Sequence, residues 1–151
     1  MDRLRSLLMK HQSVGLDTSV FIYHLESNPL YLPMTTELLG MVRDGEVVAV
    51  TSTITLMEIG VRPLRLGRAD IADEYELLIS RFPNLRVYEV SIPVARIAAE
   101  LRAKYRLRLG DALQVATALH FEATLFVSND DKLNAAADEI TMLMLRDFLA
   151  A

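Results

Sequence analysis

The chain has 151 residues, 52% of them hydrophobic and 24% charged, so a single domain is expected to bury roughly 70% of its unfolded surface around its own core. It contains no cysteine, which excludes disulfides, thiolate zinc sites and cysteine nucleophiles. The formal net charge of −4 argues against a uniformly phosphate-binding surface, and the longest stretch without an ionisable residue, Val47 to Met57, falls short of the roughly 20 residues that span a bilayer.

In chain order, Met-Asp-Arg-Leu-Arg opens the sequence without an apolar run and small-residue cleavage site, so a cytoplasmic domain over 1–151 with no membrane association is expected. Ser13 to Leu16 reads as a short buried strand stopping at Asp17, and Val20 to Glu26 and Met34 to Arg43 read as helices. Met34, Leu38 and Met41 share one helical stripe and are read as core filling, with a partner-facing stripe as the alternative. A turn at Asp44-Gly45 leads into the β-branched strand Val47 to Thr51, then a helix over Ile54 to Val61 and another over Ala69 to Arg81. Leu85 to Val90 follows Pro83-Asn84 and alternates as a strand, before a helix over Val94 to Tyr105. The segment Ala112 to Phe121 is apolar or small almost all round and is expected to be a buried helix. Thr124 to Ser128 and Ile140 to Leu145 complete five apolar strands separated by helices. Such alternation predicts an α/β fold with a parallel sheet covered by helices on both faces.

The charge is unevenly spread. Arg96, Arg102, Lys104, Arg106 and Arg108 stand against Glu100 alone, so that stretch carries +4 and the remainder of the chain −8. Arg62, Arg65 and Arg68 form a second cluster with no acid inside it. Clusters of this kind are ordinarily solvated helix faces, but each of these lies close in sequence to a carboxylate at a distinctive place.

Four acids share one topological address, the carboxyl end of a strand or the first turns of the helix that follows. Asp17 ends the first strand, Glu58 lies on the helix after the second, Asp111 opens the buried helix and Asp130 follows the fourth strand. Taken singly, Asp17 and Asp130 read as helix N-caps, Glu58 as the partner of Thr55 in a capping box, and Asp111 as a cap or a first-turn partner of the helix dipole. Together they fall on the edge where open parallel sheets place their ligands. Carboxylates gathered there repel one another unless a cation joins them, and oxygen-only donors suit Mg²⁺ or Mn²⁺ rather than zinc. Such ions act on phosphates, and the two basic clusters are candidates to hold the flanking phosphates of a nucleic acid.

Four segments carry a family resemblance: Leu-Asp-Thr-Ser-Val at 16–20, Ser-Thr-Ile-Thr-Leu-Met-Glu at 52–58, Gly-Asp-Ala-Leu-Gln-Val-Ala-Thr-Ala at 110–118 and Phe-Val-Ser-Asn-Asp at 126–130. In this order and spacing the chain resembles the PIN-domain family, and within it the VapC-type toxin ribonucleases of toxin–antitoxin pairs. The resemblance maps the acidic quartet onto Asp17, Glu58, Asp111 and Asp130, with Asp131 adjacent as a second candidate for the fourth place. It maps a near-site hydroxyl onto Ser128 and a second polar residue onto Ser19. Leu133 stands where many relatives carry an aromatic residue. The resemblance implies a five-stranded sheet of order 3-2-1-4-5 and a Mg²⁺- or Mn²⁺-dependent endoribonuclease. Asp17 and Asp111 would be the core metal ligands, with Glu58 and Asp130 assisting directly or through water. It also implies a homodimer and a cognate antitoxin lying across the site. Arg62, Arg65, Arg68, Arg102, Arg106 and Arg108 are the RNA-binding candidates.

Other readings fit less well. No Gly-x-Gly-x-x-Gly turn or P-loop follows the first strand, and a haloacid-dehalogenase-like phosphatase needs a second aspartate where Ser19 stands. His11, His24 and His120 are scattered, with His11 or His24 read as surface residues and His120 as the end of the buried helix, and none is given a role. The remaining alternative is a PIN-like domain that binds RNA or protein without cutting.

Overall fold

The short apolar runs become five strands that pair in parallel in the computed structural model, which describes residues 1–149. They are β1 (Ser13–Leu16), β2 (Val48–Ser52), β3 (Leu85–Tyr88), β4 (Leu125–Ser128) and β5 (Thr141–Met144). Their order across the sheet is β3-β2-β1-β4-β5, with β1 in the centre between β2 and β4. The expected order is therefore the observed one. The chain runs outward to β3, returns past β1, and runs outward again to β5, so the carboxyl ends of β1 and β4 lie side by side where the winding reverses.

The helices are α1 (Asp2–Leu8), α2 (Thr18–Leu25), α3 (Leu32–Arg43), α4 (Thr53–Arg65), α5 (Ala69–Ser80), α6 (Ile92–Tyr105) and α7 (Leu109–His120). Short 3-10 turns follow at Asp131–Ala136 and Leu145–Phe148. Helix α1 was not expected from the sequence. Seven residues with four polar or charged positions give little periodicity, yet Leu4 and Leu8 are fully buried and tie it to the core. The fourth helix continues a turn past its expected end at Val61, through Pro63, since a proline near the last turn removes only one hydrogen bond. Several helices begin earlier than their apolar patterns, because Pro33 and Pro93 sit in first turns and Ser52 and Ser91 cap α4 and α6 with their hydroxyls.

Two apolar layers flank the sheet and follow its two-residue alternation. Val14, Leu16, Leu125 and Val127 face the side of α1, α2 and α3, and Val50, Phe126 and Met144 face α6 and α7. The stripe of Met34, Leu38 and Met41 lies in the first layer and is buried, as core filling requires. Gly15 lets α7 approach β1 closely: a Cβ at that position would stand 2.7 Å from the Ala118 Cβ and 2.8 Å from the Phe126 ring. Leu133 is fully buried and packs in the second layer beneath its 3-10 turn. Among the described residues, no helix is long and apolar enough to cross a membrane.

Candidate active site

Asp17 is the first residue past β1 and the N-cap of α2. Its carboxylate accepts a hydrogen bond from the Thr18 backbone N–H at 2.8 Å and from the Ser128 hydroxyl at 2.6 Å. The Ser128 oxygen in turn accepts from the Asp130 backbone N–H at 3.1 Å. Ser128, fully buried at the end of β4, thus joins the loops after β1 and β4. Asp130 also caps its own 3-10 turn by accepting from the Lys132 N–H. The capping readings of Asp17 and Asp130 are therefore realised, and both residues stand at the carboxyl edge of the sheet.

Asp111 occupies the first turn of α7 and Glu58 the second turn of α4. The two turns are close: a Cβ on Gly110 would lie 3.9 Å from Glu58 Oε2. The expected capping box does not form, because Ser52 caps α4 and Thr55 is buried with other partners. Glu58 instead accepts a hydrogen bond from the Thr18 hydroxyl at 2.7 Å. Burial, followed by the charges of Asp111 and Glu58, pushes the Asp17 carboxyl up to about 6, against the pull of its two hydrogen bonds. Burial likewise raises the Asp111 carboxyl, opposed by the Arg108 guanidinium.

Arg108 is the one cation of the expected set that enters the acidic group. Its guanidinium donates to Asp130 at 2.7 Å and lies 3.4 Å from Asp111. Asp131 turns away and pairs with Arg146, so it is Asp130 that the fold brings towards Asp111. Ser19, expected near the site, makes no hydrogen bond to any of the acids, and its buried hydroxyl has no partner among the described residues. One residue earlier on the helix, Thr18 is the polar side chain that reaches an acid, because consecutive helical side chains point about 100° apart.

The other arginines lie further out. Arg62 pairs with Glu26 and Arg68 with Asp70, while Arg102 donates to the Leu107 carbonyl and supports the turn between α6 and α7. Arg106 ends α6 in the left-handed conformation (φ 54°), and Arg65 is exposed in the last turn of α4. His24 is half-buried against Thr35 rather than on the surface.

The sequence reading missed the support beneath the acids. Gln114 on α7 is buried and donates to Thr18 at 3.0 Å and to Thr55 at 2.8 Å. Thr55 meets Thr51 at 2.7 Å, and Thr51 donates to the Leu16 carbonyl at 3.0 Å. The available signal was a glutamine inside a helix otherwise read as buried all round, since a buried amide requires partners.

The donor chemistry fits a hard divalent cation. Every donor is oxygen, and Asp17 is buried beside two further carboxylates with no basic partner of its own among the described residues. The arrangement is not a finished cage: among the described residues no three of these side chains close around one point, and the guanidinium of Arg108 stands between Asp111 and Asp130.

Comparison with known proteins agrees with this architecture. The family model described as "PIN domain" matches residues 14–139. A chain from the crystal structure of VapBC2 from Rickettsia felis bound to a DNA fragment from their promoter is similar, with TM-score 0.66, 17% identity, and coverage of 87% of this chain and 98% of that one. A chain of a toxin-antitoxin complex from Klebsiella pneumoniae gives TM-score 0.64 and 18% identity, covering 88% of this chain and 97% of that one. No curated protein matches by sequence. With the family model spanning most of the chain and the acids on the expected edge of the expected sheet, this protein belongs to the PIN-domain family.

Proposed function

We propose that this chain is a metal-dependent endoribonuclease and the toxin of a type II toxin–antitoxin pair. The observation that carries the reading is Asp17, a carboxylate only 8% exposed, with no basic partner among the described residues and close enough to Asp111 and Glu58 to feel their charge. Mutual repulsion of this kind is relieved by a divalent cation, and a polar cluster kept at a sheet edge at the expense of stability is typical of a working site.

Asp17, Asp111 and Asp130 would hold Mg²⁺ or Mn²⁺, with Glu58 assisting directly or through water. The ion's contribution is to neutralise phosphoryl oxygens and lower the pKa of a bound water. The chain's own residues supply the rest. Ser128 and the Thr18 N–H fix the Asp17 carboxylate, and Thr18 fixes Glu58, so the oxygens are oriented before a substrate arrives. Arg108 is placed to move from Asp130 to an RNA phosphate, and Arg65 and Arg106 offer charge at the two approaches.

A protein partner is supported by exposed Leu64, Leu66, Leu77 and Leu78 on α4 and α5 and the bend between them, apolar surface that a cognate antitoxin or the second copy of a homodimer would cover. The similar Klebsiella chain was solved in a toxin-antitoxin complex.

The test is cleavage of total cellular RNA by the purified chain with Mg²⁺ or Mn²⁺, with EDTA, and with Asp111→Asn. Loss of cleavage in both EDTA and the variant is expected. Cleavage that survives the substitution would remove the reaction from this site. A chain that binds Mn²⁺ but cuts no RNA would favour the binding-only reading.

A further inference from the structure

We infer that Gln114 is a positioning residue that sets Glu58 by fixing the direction in which the Thr18 hydroxyl donates. The inference rests on the nuclease reading and adds to it a group none of the acidic motifs contains.

The protons of the buried network can be assigned one by one. Thr51 gives its hydroxyl proton to the Leu16 carbonyl, so Thr55 must be the donor in the 2.7 Å contact with Thr51. Thr55 then has no proton left, and its oxygen accepts from the Gln114 amide at 2.8 Å. The second amide proton goes to Thr18 at 3.0 Å, and Thr18 donates to Glu58 Oε1 at 2.7 Å. Gln114 is thus the source of two arms. One ends on the carbonyl preceding Asp17, the other on the Glu58 carboxylate. Hydrogen bonds that run in one direction polarise each other, so the last donor of each arm is strengthened.

Packing does not explain the glutamine. Gln114 is 2% exposed, and its own carbonyl oxygen is buried with no partner among the described residues, a penalty that a methionine of similar length would avoid. Glu58 is exposed on α4, and the Thr18 hydroxyl is its hydrogen-bond donor among the described residues. Without that donor a long, solvated glutamate would sample many rotamers. This relay and the neighbouring threonines join α7 to α4 by hydrogen bonds. Supporting partners of this kind typically change metal affinity or activity 10- to 100-fold when removed.

The experiment compares the unmodified chain with Thr18→Val, Thr18→Ser, Gln114→Met and the Thr18→Val/Gln114→Met double variant. Melting temperature, Mn²⁺ affinity by calorimetry and RNA cleavage at saturating Mn²⁺ are measured for each. Thr18→Val keeps the shape and removes the donor. It and Gln114→Met are each expected to lose about 10-fold in Mn²⁺ affinity or cleavage. Thr18→Ser should recover most of the loss, and the double variant should be no worse than the poorer single one. Multiplying losses in the double variant, or an unaffected Thr18→Val chain, would overturn the inference. If Gln114→Met fails to fold, the contrast between Thr18→Val and Thr18→Ser decides. A chain that shows the non-additive pattern in Mn²⁺ affinity but cuts no RNA loses the nuclease reading and keeps the positioning role. A chain that cuts RNA with multiplying losses does the reverse, and one that binds no Mn²⁺ loses both.

Discussion

Asp17 carries the main electrostatic tension of the molecule. Its folded-state pKa of about 6, against an ordinary 3.8, means that the folded chain binds this proton more tightly than the unfolded chain. The sign follows from linkage: stability from this group is fully present below about pH 4 and is lost as pH rises through about 6, by roughly 3 kcal/mol. Asp111, also raised by burial, acts in the same direction. The metal-free chain in EDTA should therefore melt at a higher temperature near about pH 5 than near about pH 7.5, provided acid denaturation has not begun. Asp17→Asn keeps the shape and removes the charge, so its melting temperature should change less over that interval and exceed the parent's at the higher pH. Scanning calorimetry of the two chains checks this, and equal pH slopes would show that Asp17 is not the group responsible. Arg108 provides a second, separate prediction. Its guanidinium supplies positive charge to Asp111 and Asp130, so Arg108→Ala should bind Mn²⁺ several-fold more tightly in calorimetry while holding RNA less well. The two effects have opposite signs, which a general loss of structure would not produce. At this scale the four acids were legible because each lies just past a strand or in the first turns of a helix in the sequence itself. Gln114 was not legible as a partner of Thr18, because the two residues are 96 positions apart and meet only once β1 lies beside β2 and beneath α7.

At the scale of elements, the contact of α7 with β1 brings Asp111 and Gln114 to the centre of the sheet. The helix comes this close because Gly15 has no side chain: a Cβ there would overlap Ala118 and Phe126, both packed in the core. Gly15→Ala should accordingly lower stability by about 1–3 kcal/mol in urea unfolding, as overpacking does, even though alanine suits a strand as well as glycine does. It should also weaken Mn²⁺ binding, because the shift falls on the helix that carries Asp111. An unchanged unfolding midpoint would mean that α7 relaxes freely and that the close approach is not required. The same elements explain which boundaries were readable. Strand cores were fixed by β-branched runs between turns, whereas α2, α3, α4, α6 and α7 all begin before their apolar stripes, at caps, prolines and first-turn residues with no hydrophobic period. Helix α1 lacked a signal for a different reason, since its two buried leucines acquire meaning only from the layer they enter.

For the whole molecule, an acidic chain with the proposed function must separate its charges in space. The acids that would hold metal lie at the sheet edge, while the basic groups sit at the end of α4 and the turn between α6 and α7. The structure also divides those basic groups by what each already holds. Arg62 and Arg68 are paired with Glu26 and Asp70, so a phosphate arriving there must compete with a carboxylate. Arg65 and Arg106 have no carboxylate partner among the described residues and release condensed counterions without that competition. For a single-stranded RNA the logarithm of affinity falls with the logarithm of salt by about 0.7 for each phosphate neutralised. Anisotropy of a labelled RNA bound to the Asp111→Asn chain, titrated over a series of salt concentrations, measures that slope without cleavage. Arg106→Ala should reduce the slope by about 0.7, and Arg68→Ala by clearly less, because its charge is already compensated. Equal reductions would mean that RNA strips Arg68 from Asp70 on binding. No reduction with Arg106→Ala would place the RNA path away from the α6–α7 turn, leaving Arg108 to act on the metal site alone.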